Sequence, residues 1–136
     1  MADFIDTNIF VYTDDNHTPR KREQALDLVA EQRRQQTGTV SVQVLQEYFT
    51  TATSKLGVDP LVARRKTELI AEFKLVVPQR EDVLGAIDLS RLYGFSFWDS
   101  MILRSALTSG CSRLFTEDLQ QGQRIETLEI VNPFMT

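Results

Sequence analysis

The chain has 136 residues, of which 42% are hydrophobic and 25% are charged, and its formal net charge is -4. This length fits a single domain over residues 1–136, and the composition excludes disordered and collagen-like chains. The acidic balance excludes a protein that holds nucleic acid mainly through a basic surface. If the substrate is nucleic acid, bound cations must supply positive charge, and two divalent ions would cancel four carboxylates.

The single Cys111 and the single His17 exclude two further classes of protein. One cysteine cannot form an internal disulfide, and these two residues are too few for a structural zinc site. No apolar stretch reaches the roughly 18 residues needed to cross a bilayer, and Asp3 and Asp6 stand where a signal peptide would carry Lys or Arg. We therefore expect a cytoplasmic protein without a membrane segment.

The first half of the chain alternates short apolar runs with stretches of helical periodicity. Residues 3–6 predict a first strand, with a switch to helix in the apolar run 9–12. Thr18 and Pro19 are typical of a helix start, and residues 19–36 carry apolar side chains at helical spacing. Residues 39–42 predict a second strand, and the helix that follows runs to Gly57.

The second half continues the alternation. A helix begins at Asp59 and Pro60, residues 74–77 predict a strand stopped by Pro78, and residues 81–93 predict a helix ended by Gly94. Residues 99–109 predict another helix, followed by a strand at 113–116 and a last, edge-compatible strand at 125–131. Strands that alternate with helices indicate an α/β fold with a mostly parallel sheet covered on both faces.

Four acids lie where an open parallel sheet places functional residues, beyond the carboxyl ends of its strands. Asp6 and Asp118 follow the first strand and the strand at 113–116, whereas Glu47 and Asp99 lie near the starts of helices. Periodicity alone makes Glu47 a solvated surface residue, because it lies about 140° from the apolar stripe of its helix. Asp118 has the alternative of an ordinary turn acid, and its neighbour Glu117 could exchange roles with it.

Asp6 and Asp99 also have purely structural alternatives as helix N-caps. For Asp99 this reading uses Trp98 as part of a hydrophobic staple, or Ser96 as the first member of a capping box. Against it, Asp99 shares a helical stripe with apolar residues, which favours an inward side chain. An acid inside the apolar run that holds Asp6 is likewise costly to bury without a partner.

Four strings decide between these interpretations: FIDTNIFVY at 4–12, QEYF at 46–49, FWDS at 97–100 and LFTEDL at 114–119. In order and spacing, over nearly the whole chain, they resemble a PIN domain of the kind found in the VapC toxins of toxin–antitoxin pairs. The resemblance implies a three-layer α/β/α sandwich with a mostly parallel central sheet. It also implies that Asp6, Glu47, Asp99 and Asp118 hold Mg2+ or Mn2+, with Thr116 and Asn8 orienting a carboxylate or a water.

The activity implied by this resemblance is that of an endoribonuclease, the toxin of a type II toxin–antitoxin system. Oxygen ligands suit Mg2+ and Mn2+, and RNA would be hydrolysed by metal-activated water. Cleavage by a 2'-hydroxyl normally wants two groups that titrate near neutrality, and only His17 is available, which we expect to be exposed. The resemblance further implies a cognate antitoxin that covers the acidic groove and a homodimer formed through the early helices.

Three basic clusters are candidates for RNA contact, although each could equally be a solvated helix face. They are Arg20 to Arg22, Arg33 with Arg34, and Arg64 to Lys66. Phe95, Phe97 and Trp98 could stack on bases, but core packing is the preferred interpretation.

Rival functions remain. A phosphoacceptor receiver domain is disfavoured, because Val77 and Pro78 stand where its acceptor Asp would end the third strand. A nuclease of RNA maturation or decay without an antitoxin stays open. Also open is a catalytically silent PIN-like interaction module, against which the retention of all four acids argues.

Overall fold

The computed structural model describes residues 2–135, in which strands and helices alternate along the chain. The strands are β1 Asp3–Ile5, β2 Gly38–Ser41, β3 Lys74–Val76, β4 Arg113–Phe115, β5 Arg124–Ile125 and β6 Leu128–Val131. The helices are α1 Thr7–Tyr12, α2 Pro19–Gln35, α3 Val42–Ser54, α4 Pro60–Ile70, α5 Arg80–Tyr93 and α6 Phe97–Thr108. The predicted α/β class is confirmed.

The six strands form one sheet in the order β3-β2-β1-β4-β6-β5. All neighbours are parallel except β5 and β6. Strand β1 is central, with Phe4 paired to Thr39 on one side and to Leu114 on the other. Because strands β1, β2 and β4 are parallel neighbours, the residues that follow them meet at one edge of the sheet. The predicted three-layer, PIN-like sandwich with a mostly parallel sheet is confirmed.

The prediction of a single edge strand over residues 125–131 is wrong. Two short antiparallel strands occupy this region, with Ile125 paired to Leu128, and the outer strand β5 forms the edge. Glu126 adopts a left-handed backbone with φ of 54° and turns the chain. A turn made of Glu and Thr carries none of the Gly or Asn residues by which hairpins are usually recognised, so the sequence pattern gave no signal for it.

The core lies between the sheet and the helices, and the central strand is wholly buried in it. Phe4, Ile5 and Leu114 have no exposed surface, and Tyr48 and Leu103 are equally buried from the helical layers. No helix within residues 2–135 combines the length and the apolar character that spanning a membrane requires.

Three local predictions are wrong. Trp98 is not a buried staple, because 61% of the residue is exposed and its ring packs edge-on against Phe97. Helix α6 begins at Phe97, so Asp99 lies in its first turn instead of preceding it. The second strand likewise ends at Ser41, and Val42 already belongs to helix α3.

A buried ion pair holds the start of the central strand against its neighbour. Asp3 is only 2% exposed, and Arg113 donates to its two carboxylate oxygens over 2.9 and 2.7 Å. Gln32 of α2 donates to the same carboxylate over 3.0 Å. These contacts join β1, β4 and α2, and thereby position the far ends of β1 and β4, after which the site residues follow.

We predict that Arg113→Met destabilises the protein by about 2 to 3 kcal/mol, since it leaves the Asp3 carboxylate buried with no cationic partner. Urea unfolding of the wild type and the variant measures this difference. Arg124→Met is the matched control, because Arg124 is exposed and forms no ion pair within residues 2–135. Equal losses in the two variants would contradict a structural role for the pair.

Candidate active site

Six acids line one cavity of about 560 Å³, and four of them are the sequence-predicted acids, which come from four separate segments. Asp6 directly follows β1, Glu47 lies in the second turn of α3, Asp99 lies in the first turn of α6, and Asp118 follows β4. Asp6 is 5% exposed, Glu47 and Asp99 are half-buried, and Asp118 lies exposed at the mouth. The structure thus brings the four sequence-predicted acids to a common cavity.

Asp6 serves as an N-cap and also lines the cavity. One of its oxygens, Oδ1, accepts from the backbone N–H of Thr7 over 2.7 Å and caps α1, as the structural alternative predicted. The other oxygen accepts from the Thr116 hydroxyl over 2.8 Å. A capping acid normally lies on the surface, whereas this one is buried where β1 meets α1. The capping interpretation of Asp6 is therefore confirmed, and its role as a metal ligand stays a prediction.

Glu47 is held toward the cavity by two polar side chains. Thr7 donates its hydroxyl to Oε1 over 2.7 Å, and Gln43 donates its side-chain amide to Oε2 over 3.2 Å. The helical periodicity of α3, which predicts a solvated glutamate, misses this because both partners face the same groove between α1 and α3. Glu47 is therefore surrounded by polar side chains of the protein, and it is half-buried.

Asp99 is free of the capping role. Ser96 is the N-cap of α6, and its hydroxyl oxygen accepts from the backbone N–H of Asp99 over 3.1 Å. The alternative in which Asp99 itself caps the helix is therefore wrong, whereas half of the capping box with Ser96 is present. Because Ser96 satisfies the helix terminus, the Asp99 carboxylate is available to the cavity that it lines.

Asp118 and Glu117 have different surroundings although they are adjacent. The backbone N–H of Asp118 donates to the Thr116 hydroxyl over 3.1 Å, and its side chain lines the cavity. Glu117 instead accepts from Lys21 and from the Tyr12 hydroxyl, each over 2.5 Å. Its charge is therefore already paired, and the exchange of roles that the sequence left open is not supported by these contacts.

Thr116 lies behind the cavity, where it contacts Asp6, and Asn8 contacts Thr116. Besides donating to Asp6, the Thr116 hydroxyl accepts from the Asn8 amide over a long 3.4 Å. Thr116 is fully buried, so its hydroxyl has no access to solvent. Thr116 thus donates to Asp6, whereas the Asn8 amide donates to Thr116, and the orienting role of the two residues stays a prediction.

The four sequence-predicted acids carry negative charge that no neighbouring cation of the described chain pairs. No ion pair among residues 2–135 involves Asp6, Glu47, Asp99 or Asp118. Burial raises the pKa of Asp6 from its ordinary 3.8 to about 7, against the lowering effect of its two hydrogen bonds, and the charges of Asp118 and Glu47 add to the rise. Desolvation first, and then the charge of Asp99, also raise the pKa of Asp118.

This donor set fits hard divalent cations. Its ligands are carboxylate oxygens only, which Mg2+ and Mn2+ prefer over soft metals, and the raised pKa of Asp6 shows that the negative charge lacks compensation. Within residues 2–135, no three acidic, histidine or cysteine side chains already enclose a single point. The carboxylates thus line a shared cavity without forming a closed cage.

Sequence reasoning missed two residues of the site, Thr7 and Gln43. Thr7 stands next to Asp6, and Gln43 precedes Glu47 by four residues on the same face of α3. This spacing was a signal for a contact between Gln43 and Glu47. The second partner of Gln43 is the carbonyl oxygen of Trp98, which lies 3.1 Å away. Trp98 comes 55 residues later in the chain, so helical spacing could not predict this contact.

Most side chains of the three basic clusters have acidic partners. Lys21 pairs with Glu117, and Lys66 donates to Asp14 over 2.8 Å. The remaining pairs are Arg33 with Glu72, Arg34 with Glu31, and Arg64 and Arg65 with Glu68. The basic side chain among the residues lining the cavity is Lys55, which the sequence analysis did not single out.

The sequence matches the model of the PIN domain over residues 4–124. Because this match covers most of the chain, and because the fold and the acidic cavity agree with it, the protein belongs to the PIN domain family. No curated protein matches the chain in sequence.

Solved structures share the fold at low sequence identity. One is a toxin–antitoxin complex from Klebsiella pneumoniae, with a TM-score of 0.70, 17% identity, and coverage of 98% of both chains. Another is VapC20 of Mycobacterium tuberculosis, described as a toxin that cleaves the sarcin–ricin loop, with a TM-score of 0.69, 15% identity, and coverage of 86% of this chain and 90% of that one. A third is VapBC2 of Rickettsia felis, bound to a DNA fragment from its promoter, with a TM-score of 0.69, 17% identity, and coverage of 96% and 97%.

We predict that Asp6→Asn stabilises the metal-free protein at pH 8 by up to about 3 kcal/mol. The folded protein holds the Asp6 proton up to about pH 7, whereas the unfolded chain releases it near 3.8, so stability falls as the pH rises between these values. That shift is worth about 4 kcal/mol at most, and losing the hydrogen bond from Thr116 offsets about 1 kcal/mol of it.

Urea unfolding in EDTA between pH 4 and pH 8 measures this gain, which should shrink as the pH falls toward 4. Asp88→Asn, at an exposed acid of α5, is the control and should show no pH-dependent gain. An Asp6→Asn variant less stable than the wild type at pH 8 would contradict the assigned electrostatics.

Proposed function

We propose that the protein is a Mg2+- or Mn2+-dependent endoribonuclease, with residues 1–136 acting as one nuclease domain. The observation that carries this proposal is the gathering of Asp6, Glu47, Asp99 and Asp118 on one cavity, with none of them in an ion pair within residues 2–135. If the four acids were only helix caps or surface charges, there would be no reason for them to line the same cavity. A silent interaction module gives no reason to retain this unneutralised charge.

Each part of the chain has a task in this reaction. Asp6, Glu47, Asp99 and Asp118 would hold the ion, and Thr7 and Thr116 keep the two oxygens of Asp6 oriented by donating to them. A bound Mg2+ or Mn2+ would supply the charge that activates water and steadies the departing oxygen at phosphorus. The chain itself binds the RNA strand and holds the carboxylates in place.

A reaction that uses histidine as acid and base has little support in this chain. The single His17 has a side chain that is 92% exposed, and it contacts Asp15 on the surface loop before α2. It is not among the residues that line the cavity. A proton donor at the site would therefore have to be a carboxyl group or a water, in keeping with metal-assisted hydrolysis.

RNA is the proposed substrate, and Lys55 is the proposed phosphate contact at the far end of the cavity. Lys55 lies eight residues after Glu47 at the end of α3, a separation of about 12 Å along a helix. Among the residues that line the cavity its side chain is the cationic one. A strand with one phosphate at the acids would thus find positive charge farther along the same groove.

We further propose that the protein is the toxin of a type II toxin–antitoxin pair and is controlled by a cognate antitoxin. The likeness to the complexes from Klebsiella pneumoniae and Rickettsia felis supports this proposal at the level of fold. A basic side chain of the antitoxin would be drawn to the four acids without any metal. Such a partner would cover the cavity and exclude RNA.

A homodimer is the proposed assembly. Within residues 2–135, α1 and α2 expose one large apolar side chain, Leu26, whereas α5 exposes several, including Leu84, Ile87 and Leu92. Apolar side chains gathered on one exposed helix are suited to an interface. We therefore favour α5 over the early helices as the dimer surface.

We predict that the purified protein cleaves RNA in Mg2+ or Mn2+ and is inactive in EDTA. Asp99→Asn should lower the cleavage rate by more than roughly 100-fold, beyond the loss typical of residues that only support a metal ligand. The amide nearly matches the carboxylate in shape, so the fold should persist. Gel analysis of a labelled RNA after a time course gives the rates.

Asp27→Asn, at an exposed acid of α2, is the matched control and should keep the wild-type rate. Robust cleavage in EDTA would overturn the metal mechanism. Full activity of Asp99→Asn would overturn the assignment of the site.

We predict that expression of the wild-type protein alone arrests bacterial growth, whereas the Asp99→Asn variant does not. Co-expression of a small DNA-binding protein encoded next to it, with a basic C-terminal segment, should restore growth, because that segment covers the acidic cavity. Removing the basic segment should abolish the rescue. Normal growth during expression, together with RNA cleavage in vitro, would instead favour a nuclease of RNA maturation or decay.

A further inference from the structure

Gln43 is a polar side chain buried beside the cavity, only 7% exposed, at the second position of α3. Its amide nitrogen Nε2 lies 3.2 Å from Oε2 of Glu47 and 3.1 Å from the carbonyl oxygen of Trp98. Both neighbours can only accept hydrogen bonds, so the NH2 group must face them and the orientation of the amide is fixed. Gln43 therefore uses both of its amide hydrogens at the site.

The two acceptors belong to different parts of the site. Glu47 follows Gln43 by one turn of α3, whereas the Trp98 carbonyl lies in the first turn of α6 and directly precedes Asp99. One amide group thus spans from the helix that carries Glu47 to the helix that carries Asp99. No other side-chain hydrogen bond in residues 2–135 joins α3 to the first turn of α6.

The other oxygen of Glu47 is also held. Thr7 donates to Oε1 over 2.7 Å, and the backbone N–H of Thr7 in turn donates to Asp6. The Glu47 carboxylate therefore has one neutral donor on each oxygen. Neutral donors fix the direction of a carboxylate without cancelling its charge, which a Lys or Arg at the same place would do.

We propose that Gln43 is a positioning residue for divalent-cation binding, which acts by orienting the Glu47 carboxylate and fixing its distance from Asp99. This inference rests on the proposed function, because it assigns a metal to the four acids. Gln43 does not itself touch the substrate in this role. Its contribution is to the affinity of the site for the ion.

The test is a titration of Mn2+ into the purified full-length protein, followed by electron paramagnetic resonance of the free ion. Gln43→Met keeps the length of the side chain and removes both donors, and we expect it to raise the Mn2+ dissociation constant roughly tenfold. In cleavage assays the variant should need roughly tenfold more Mn2+ for half its maximal rate and should recover much of the rate at saturating Mn2+. A merely structural role would not change the metal requirement.

Gln32→Met is a matched control at the other end of the sheet. Gln32 is 4% exposed, donates to the Asp3 carboxylate over 3.0 Å and accepts from Thr37 over 2.7 Å. Its loss should lower the free energy of unfolding and leave the Mn2+ affinity unchanged. Thermal unfolding of each variant identifies any that fails to fold, and Gln43→Asn, too short to span both acceptors, then takes the place of Gln43→Met.

A double-mutant cycle tests whether Gln43 acts through Glu47. In a Glu47→Gln background, Gln43→Met should add little to the loss of Mn2+ affinity, because the carboxylate that it orients is already gone. A full tenfold loss in that background would overturn the assignment. So would unchanged Mn2+ affinity in the folded Gln43→Met variant of a wild type that binds the ion. If the wild type binds no Mn2+, that result contradicts the proposed function, and it contradicts this inference as well.

Discussion

The site depends on a carboxylate buried where the central strand ends. Asp6 lies between the N-terminus of α1 and the hydroxyl of Thr116, and its two hydrogen bonds offset only part of the cost of removing it from water. The remaining cost appears as a pKa raised to about 7. A cation supplied from outside the chain would reduce that cost, and this is the physical support for the ion that we propose.

Asp3, at the start of the same strand, is a buried acid that has a cationic partner. Asp3 begins β1 and receives the two-pronged contact of Arg113, whereas Asp6 follows the end of β1 and receives only neutral donors. The two acids lie at opposite ends of β1 and have nearly the same burial. The difference lies in their partners. Asp3 is paired with a cation and has a structural role, whereas Asp6 has no cationic partner within residues 2–135.

The sequence predicts the architecture well because each element carries its own local signal. Apolar periodicity, Pro19 at a helix start and Gly94 at a helix end are all local and all hold in the structure. The hairpin at 126–127 was missed because its turn lacks Gly and Asn. Glu47 looked solvated because Thr7, which donates to it, belongs to a different helix, and periodicity describes only one helix at a time.

The resemblance to a PIN domain, and not any local pattern, selected Asp118 over Glu117, and the contacts now give a physical reason. Lys21 and the Tyr12 hydroxyl bind Glu117, and Lys21 also lies over the rings of Tyr12 and Phe134. Lys66 binds Asp14 in the same way on the other side of α1. Cations of the basic clusters thus pair with Glu117 and Asp14, whereas Asp6, Glu47, Asp99 and Asp118 form no ion pair within residues 2–135. In a chain with a net negative charge, this pairing leaves unpaired acidic charge concentrated at one cavity.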